Sequence, residues 1–179
     1  MRRFLKYANP LLLAGVLILT SCASHPKKAQ NILPEIITTG NVTQKFNMQL
    51  DFGKNHFSGM LIARRMDSGE IRLLFNTHFG LSVFDFSLHP DSMEVNSIVE
   101  PMRKKKILNL LEKDFRLVFE PSENVRIKEK SSIFEKRKSG RGITKAVITL
   151  SEFTDNKPQR VQIRHPWIKL KIQLDKLMI

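Results

Sequence analysis

The sequence predicts a mainly β domain of the α+β class, an antiparallel curved sheet of about eight or nine strands with one clear helix. Three observations predict it. Apolar and polar residues alternate with period two through most of residues 43–99 and again after residue 125, which puts one set on a buried face. Short breaks rich in Gly, Asn, Asp and Pro separate these runs, as hairpin turns require. Between the two halves Ile107, Leu108, Leu111 and Phe115 recur at the spacing of one helix face.

The first strand begins near Thr43, where Phe46, Met48, Leu50 and Phe52 alternate with Lys45, Asn47, Gln49 and Asp51. Gly53-Lys54-Asn55 turns the chain into a second strand, Phe57 to Met66. Asp67-Ser68-Gly69-Glu70 reads as a hairpin turn, because Gly69 can take positive φ. Ile71, Leu73 and Phe75 form a third strand that His78-Phe79-Gly80 ends. A fourth runs from Leu81 to Leu88, Pro90-Asp91-Ser92 closes it, and Met93, Val95 and Val99 make a fifth. Connections this short predict that consecutive strands pair in order. The helix spans about Pro101 to Asp114, with Pro101 in the first turn, where its missing N–H costs nothing. Arg103 to Lys106 sit at its positive end, an unfavourable place for cations that a binding role would account for. After Pro121, strands are predicted over Val125–Lys130 (with an extension toward Phe134), Ile143–Phe153, Arg160–Arg164, and a last one carrying Ile168, Leu170, Ile172 and Leu174. His165-Pro166 separates the final two, since proline interrupts a central strand.

The first 21 residues read as a leader. Arg2, Arg3 and Lys6 precede an apolar run from Leu11 to Leu19, which has the length of a signal-peptide core and is too short to span a bilayer. Leu19-Thr20-Ser21-Cys22 resembles the lipobox of bacterial lipoproteins. That resemblance implies a diacylglycerol thioether on Cys22 and anchorage of the chain to a membrane. Ala23 and Ser24, where a retained lipoprotein would carry Asp, are similar to an outer-membrane address. The expected location is the outer membrane, lipid-anchored and facing the periplasm. Residues 22–38, with Pro26, Lys27, Lys28 and Pro34 and no apolar periodicity, read as the lipidated N-terminus and a tether, leaving 39–179 as the β domain.

The formal charge is +13, and +10 once Arg2, Arg3 and Lys6 leave with the leader. In a cytoplasmic protein this excess would suggest nucleic acid. Export removes that partner and leaves lipid headgroups and envelope polyanions as the anions a basic face would meet. Acylation of Cys22, the single cysteine, leaves no thiol for a disulfide or a nucleophile. The five histidines show no metal-ligand spacing, and the chain has no Gly-rich phosphate loop and no G-x-S-x-G elbow. The expectation is a non-enzymatic protein without metal or cofactor.

Several strands lack the clean alternation of a sheet with one wet face. Met60 and Ile62 oppose Phe57 and Leu61, and Val83 opposes Phe84 and Phe86. Either the sheet closes into a barrel or a cavity lies between sheet and helix. The chain holds 12 Phe and 7 Met but one Trp and one Tyr, a composition that suits either an ordinary core or an adaptable lining for acyl chains.

The order of lipobox, five strands, helix and further strands is similar to that of the LolA/LolB type of lipoprotein carrier. Phe57-Ser58-Gly59-Met60-Leu61-Ile62-Ala63-Arg64-Arg65 resembles that family's second strand, and Arg72-Leu73-Leu74-Phe75-Asn76-Thr77-His78-Phe79-Gly80 the next strand and its Gly-ended corner. The resemblance implies an unclosed half-barrel of about 8–11 strands with one or more helices covering its concave face. Further short helices would fall within residues 29–38 or near Asn76 to Leu81. It also implies an apolar cavity that accepts acyl chains of lipids or lipoproteins, delivered by a soluble periplasmic carrier protein; the chain itself is expected to be a monomer. The expected lining is Phe46, Met48, Leu50, Phe75, Phe84, Phe86, Leu108, Leu111 and Phe115. Lys136, Arg137, Lys138 and Arg141, beside a loop at Ser139-Gly140-Arg141-Gly142, read as a headgroup-docking cluster or as a solvated hairpin. The alternative function is a non-catalytic envelope scaffold, with a filled core and an exposed patch that binds a protein or cell-wall partner. An envelope hydrolase would instead need converging polar groups.

Overall fold

The computed structural model describes residues 42–120 and 125–177. The leader, Cys22 and the tether lie outside the described residues. Ten strands follow in order: β1 (Gln44–Phe52), β2 (Asn55–Arg65), β3 (Ile71–Thr77), β4 (Ser82–Leu88), β5 (Met93–Ile98), β6 (Arg126–Lys130), β7 (Phe134–Ser139), β8 (Ala146–Thr154), β9 (Lys157–His165) and β10 (Leu170–Lys176). One α-helix, α1 (Lys105–Phe119), lies between β5 and β6.

All ten strands belong to one antiparallel sheet, ordered β5-β4-β3-β2-β1-β10-β9-β8-β7-β6. It is two consecutive meanders joined where β1 pairs with β10, as in Met48 opposite Leu174 and Leu50 opposite Ile172. Both ends of the order, β5 and β6, have a single neighbour. The sheet is therefore curved but unclosed, a half-barrel, and the closed-barrel alternative does not hold. The period-two apolar residues meet in rows across it: Phe46 pairs with Leu61, Leu61 with Phe75, and Phe75 with Phe84.

Three expectations are corrected. Asn76 to Leu81 form no helix; they are the end of β3 and a tight turn. The turn closes when the Thr77 N–H donates to the Leu81 carbonyl. The stretch read as a strand tail and a loop contains a full strand, β7. Its inward positions are Glu135 and Arg137, so no apolar alternation marks the strand in the sequence. The conflicting faces of β4 have a local cause. Phe75 pairs with Phe84 but Asn76 pairs with Ser82, so Val83 is the extra residue of a β-bulge and is buried beside Phe84.

Helix α1 runs past the predicted end at Asp114 to Phe119 and buries Ile107, Leu110, Leu111, Asp114, Phe115, Leu117, Val118 and Phe119. Its last turns are held by Arg116. The guanidinium donates to Glu112 at 3.0 Å and Glu120 at 2.8 Å, and to the carbonyls of His89 and Ser92 in the β4–β5 turn, each at 2.8 Å. The N-terminus has no comparable device: Lys104 caps it without a side-chain bond. At 1.5 Å per residue α1 is roughly 22 Å long and about 10 Å wide, whereas ten strands span roughly 45 Å. The helix covers part of the concave face, and the curl of the sheet encloses the remainder.

Gly59 marks a place where the curved strands leave no space. A Cβ added there would lie 2.0 Å from the Asn76 carbonyl oxygen and 2.6 Å from the Thr77 Cα. Both atoms are backbone of β3, so no rotamer change relieves the clash. Gly59→Ala is expected to destabilise the fold by about 3 kcal/mol, read as a lowered urea midpoint; an unchanged midpoint would show that β3 moves freely.

Candidate functional site

The predicted lining converges in space. Phe46, Met48, Leu50, Phe75, Phe84, Phe86, Leu111 and Phe115 are all fully buried, and Leu108 is half-buried against them. They form the concave face of β1, β3 and β4 and the facing side of α1. Ring contacts stitch sheet to helix. Phe84 stacks on Phe86 at 4.4 Å and meets Phe75 at 5.4 Å and Phe115 at 5.3 Å. Phe46 meets Phe119 at 6.0 Å, and Phe115 stacks on Phe119 at 6.2 Å. In this closed arrangement the rings occupy the space between the layers.

Two buried polar pairs lie on the same inner face, and the sequence reading found neither. His165 at the end of β9 holds Asp114 of α1 through Nε2, 2.8 and 3.0 Å from the carboxylate oxygens, with both side chains 1% exposed. Burial pushes the Asp114 carboxyl above the ordinary carboxylate value, and the hydrogen bond and charge of His165 oppose that rise. The pair fixes one rotational setting of α1 over the sheet. A signal existed: Asp114 lies three residues after Leu111 and four after Leu110, a lone acid on an apolar stripe. On β7, Arg137 donates to Glu135, and Lys130 approaches the same carboxylate at 3.6 Å.

That second pair corrects the basic cluster. Arg137 is 3% exposed and faces inward, because neighbouring residues of a strand point to opposite faces. Lys136 and Lys138 are on the outer face, and Arg141 is exposed in the turn before β8. They are joined there by residues from other strands. Lys136, Lys138, Lys145, Val147, Thr149, Gln162, Arg164 and Pro166 line a groove of about 420 Å³. A second groove of about 430 Å³ runs over the β9–β10 turn beside Trp167 and Lys169. Neither touches the nine lining residues. Among the described residues, no group of three or more His, Cys, Asp or Glu could hold a metal ion.

No protein-family model matches the chain, and no curated protein matches it. Among solved structures it is similar to a crystallised domain from Vibrio parahaemolyticus, provisionally assigned as an outer membrane lipoprotein-sorting protein domain. The match has 8% identity and a TM-score of 0.33, and covers 78% of this chain and 85% of that one. A likeness this low carries neither fold nor function across.

Proposed function

We propose that this protein is a lipid-anchored acyl-chain binder, held at the outer membrane through Cys22 and facing the periplasm. It would take lipids or lipoproteins from a soluble carrier protein and work as a monomer without covalent chemistry. One observation carries the reading: over the uncapped N-terminal half of α1, apolar contacts with the half-barrel are what hold a lid that covers only part of the concave face. Phe and Met side chains reorganise without breaking hydrogen bonds. An acyl chain would enter beside Phe84 and Phe86, replacing the core contacts of Ile107, Leu108 and Leu111 as that half of α1 lifts. The helix is tethered at its C-terminal turns by Arg116 and clamped at Asp114, so its uncapped N-terminal half is the moving part.

Hydrogen exchange with a fluorescent fatty acid tests this. The native chain is expected to take up the probe saturably, with the amides of 105–111 exchanging faster once it is bound and those of 114–119 unchanged. Uptake with no change over 105–111 would sink the lifting lid.

The filled core favours a second reading, a non-catalytic scaffold that binds a protein or cell-wall partner. Phe79 is fully exposed at the β3–β4 turn, and Trp167 is 73% exposed. A native chain with no uptake of fatty acid at all would favour the scaffold.

A further inference from the structure

We propose that the outer face of β7, β8 and β9 is a binding site for a compact anion carrying two phosphate groups. The site lies on the opposite side of the sheet from the acyl-binding layer and does not depend on it. Register builds it. Lys138 pairs with Val147, and Val147 with Arg164, so two cations flank one small apolar residue across three strands. Their Cα atoms are two strand spacings apart, roughly 10 Å, and both side chains are long enough to meet above Val147. The next row is Lys136, Thr149 and Gln162. It adds a third cation, a hydroxyl and an amide. Lys145 closes the end of the groove.

The charge of this groove is unbalanced. Elsewhere on the same outer face Arg72 bonds Asp85, and Arg160 bonds Asp175 and Glu152. Among the described residues, Lys138, Lys145 and Arg164 have no acidic partner, and Lys136 has only Glu129 at 3.7 Å. Like charges set side by side on a sheet repel one another, and a bound anion relieves that repulsion. Four cations with one weakly held acid match a ligand of two phosphates better than a single carboxylate. Arg164 offers a planar fork, and the lysines offer point charges, the usual division of labour around phosphate.

Calorimetry on the whole chain in a neutral detergent, at about 0.15 M salt, would use inorganic pyrophosphate as the probe. Fluorescence of Trp167, the single tryptophan, supplies a second readout, since its neighbour Pro166 lines the groove. Saturable binding is expected, weakened by roughly tenfold or more in Lys138→Gln with Arg164→Gln. The control Lys113→Gln with Lys157→Gln removes the same charge from exposed positions outside the groove and is expected to bind as the native chain does. The control's melting curve should match the native one, and that of Lys138→Gln with Arg164→Gln should lie at or slightly above it, since two of the repelling cations are gone. Cardiolipin in the micelles, a lipid with two phosphates in one headgroup, that displaces pyrophosphate would place the phosphates on a lipid; failure to displace it would place them on a soluble anion. No heat and no fluorescence change, or equal weakening in the control, would overturn the proposal.

Discussion

Asp114→Ala is expected to lower the unfolding free energy by about 3 kcal/mol or more, a large share of what holds a domain of this size together. The substitution leaves His165 buried with Nε2 unbonded, and its Nδ1 already has no partner among the described residues. It also opens a gap beside Leu111 and Phe115. Asp114→Asn keeps shape and one hydrogen bond, so it should cost less, and its cost should vary with pH. Burial raises the Asp114 carboxyl above its value in the unfolded chain. A raised carboxyl favours the fold on the acid side of the ordinary carboxylate value and loses that contribution as pH rises through its folded value. The difference between native chain and Asp114→Asn is therefore expected to shrink on going from acid to neutral pH. Urea titrations at two pH values measure it; a difference that grows with pH would show that the pair is stabilised as an ion pair. Asp114→Leu combined with His165→Phe should recover much of the loss, because a buried polar pair serves orientation more than stability.

How far the sequence reached depended on whether a residue's environment followed from its polarity. β1, β3 and β10 were legible because their inner faces carry Phe, Met, Leu and Ile in strict alternation, whereas β4 and β5 are interrupted by register shifts. The convergence of Phe46, Phe84, Leu111 and Phe115 followed from the same periodicity. β7 was not legible, because Glu135 and Arg137 satisfy each other inside the sheet and leave no apolar mark. Treating 136–141 as one basic cluster failed for the same reason: a cluster in sequence is split in two by a strand. The groove that replaced it needs Arg164 and Lys145, and only the pairing of β8 with both neighbours brings them beside Lys138. The reach of α1 was underestimated because Asp114 looks like a helix end. Only a partner fifty-one residues away, His165, explains an acid in that position.

Phe84→Ala is expected to cost about 3–5 kcal/mol, the range for deleting a large ring from a packed core. Phe84 should lie toward the top of that range, because three rings, Phe75, Phe86 and Phe115, lose an aromatic neighbour together. The variant also separates the two readings of the protein. The hole it leaves is apolar on every side, and benzene should fill it and raise the melting temperature whether or not the native protein handles lipid. A long-chain fatty acid does not fit a hole of one ring. It can stabilise the protein only where α1 opens and the acyl chain takes the place of several core contacts. Fatty acid at about a hundred times its dissociation constant would then add about 2.7 kcal/mol to the native chain. Stabilisation of the native chain by fatty acid supports a mobile lid over an acyl site. Stabilisation of Phe84→Ala by benzene, with no effect of fatty acid on either protein, would describe a rigid filled core. The work of this chain would then rest on its outer surfaces.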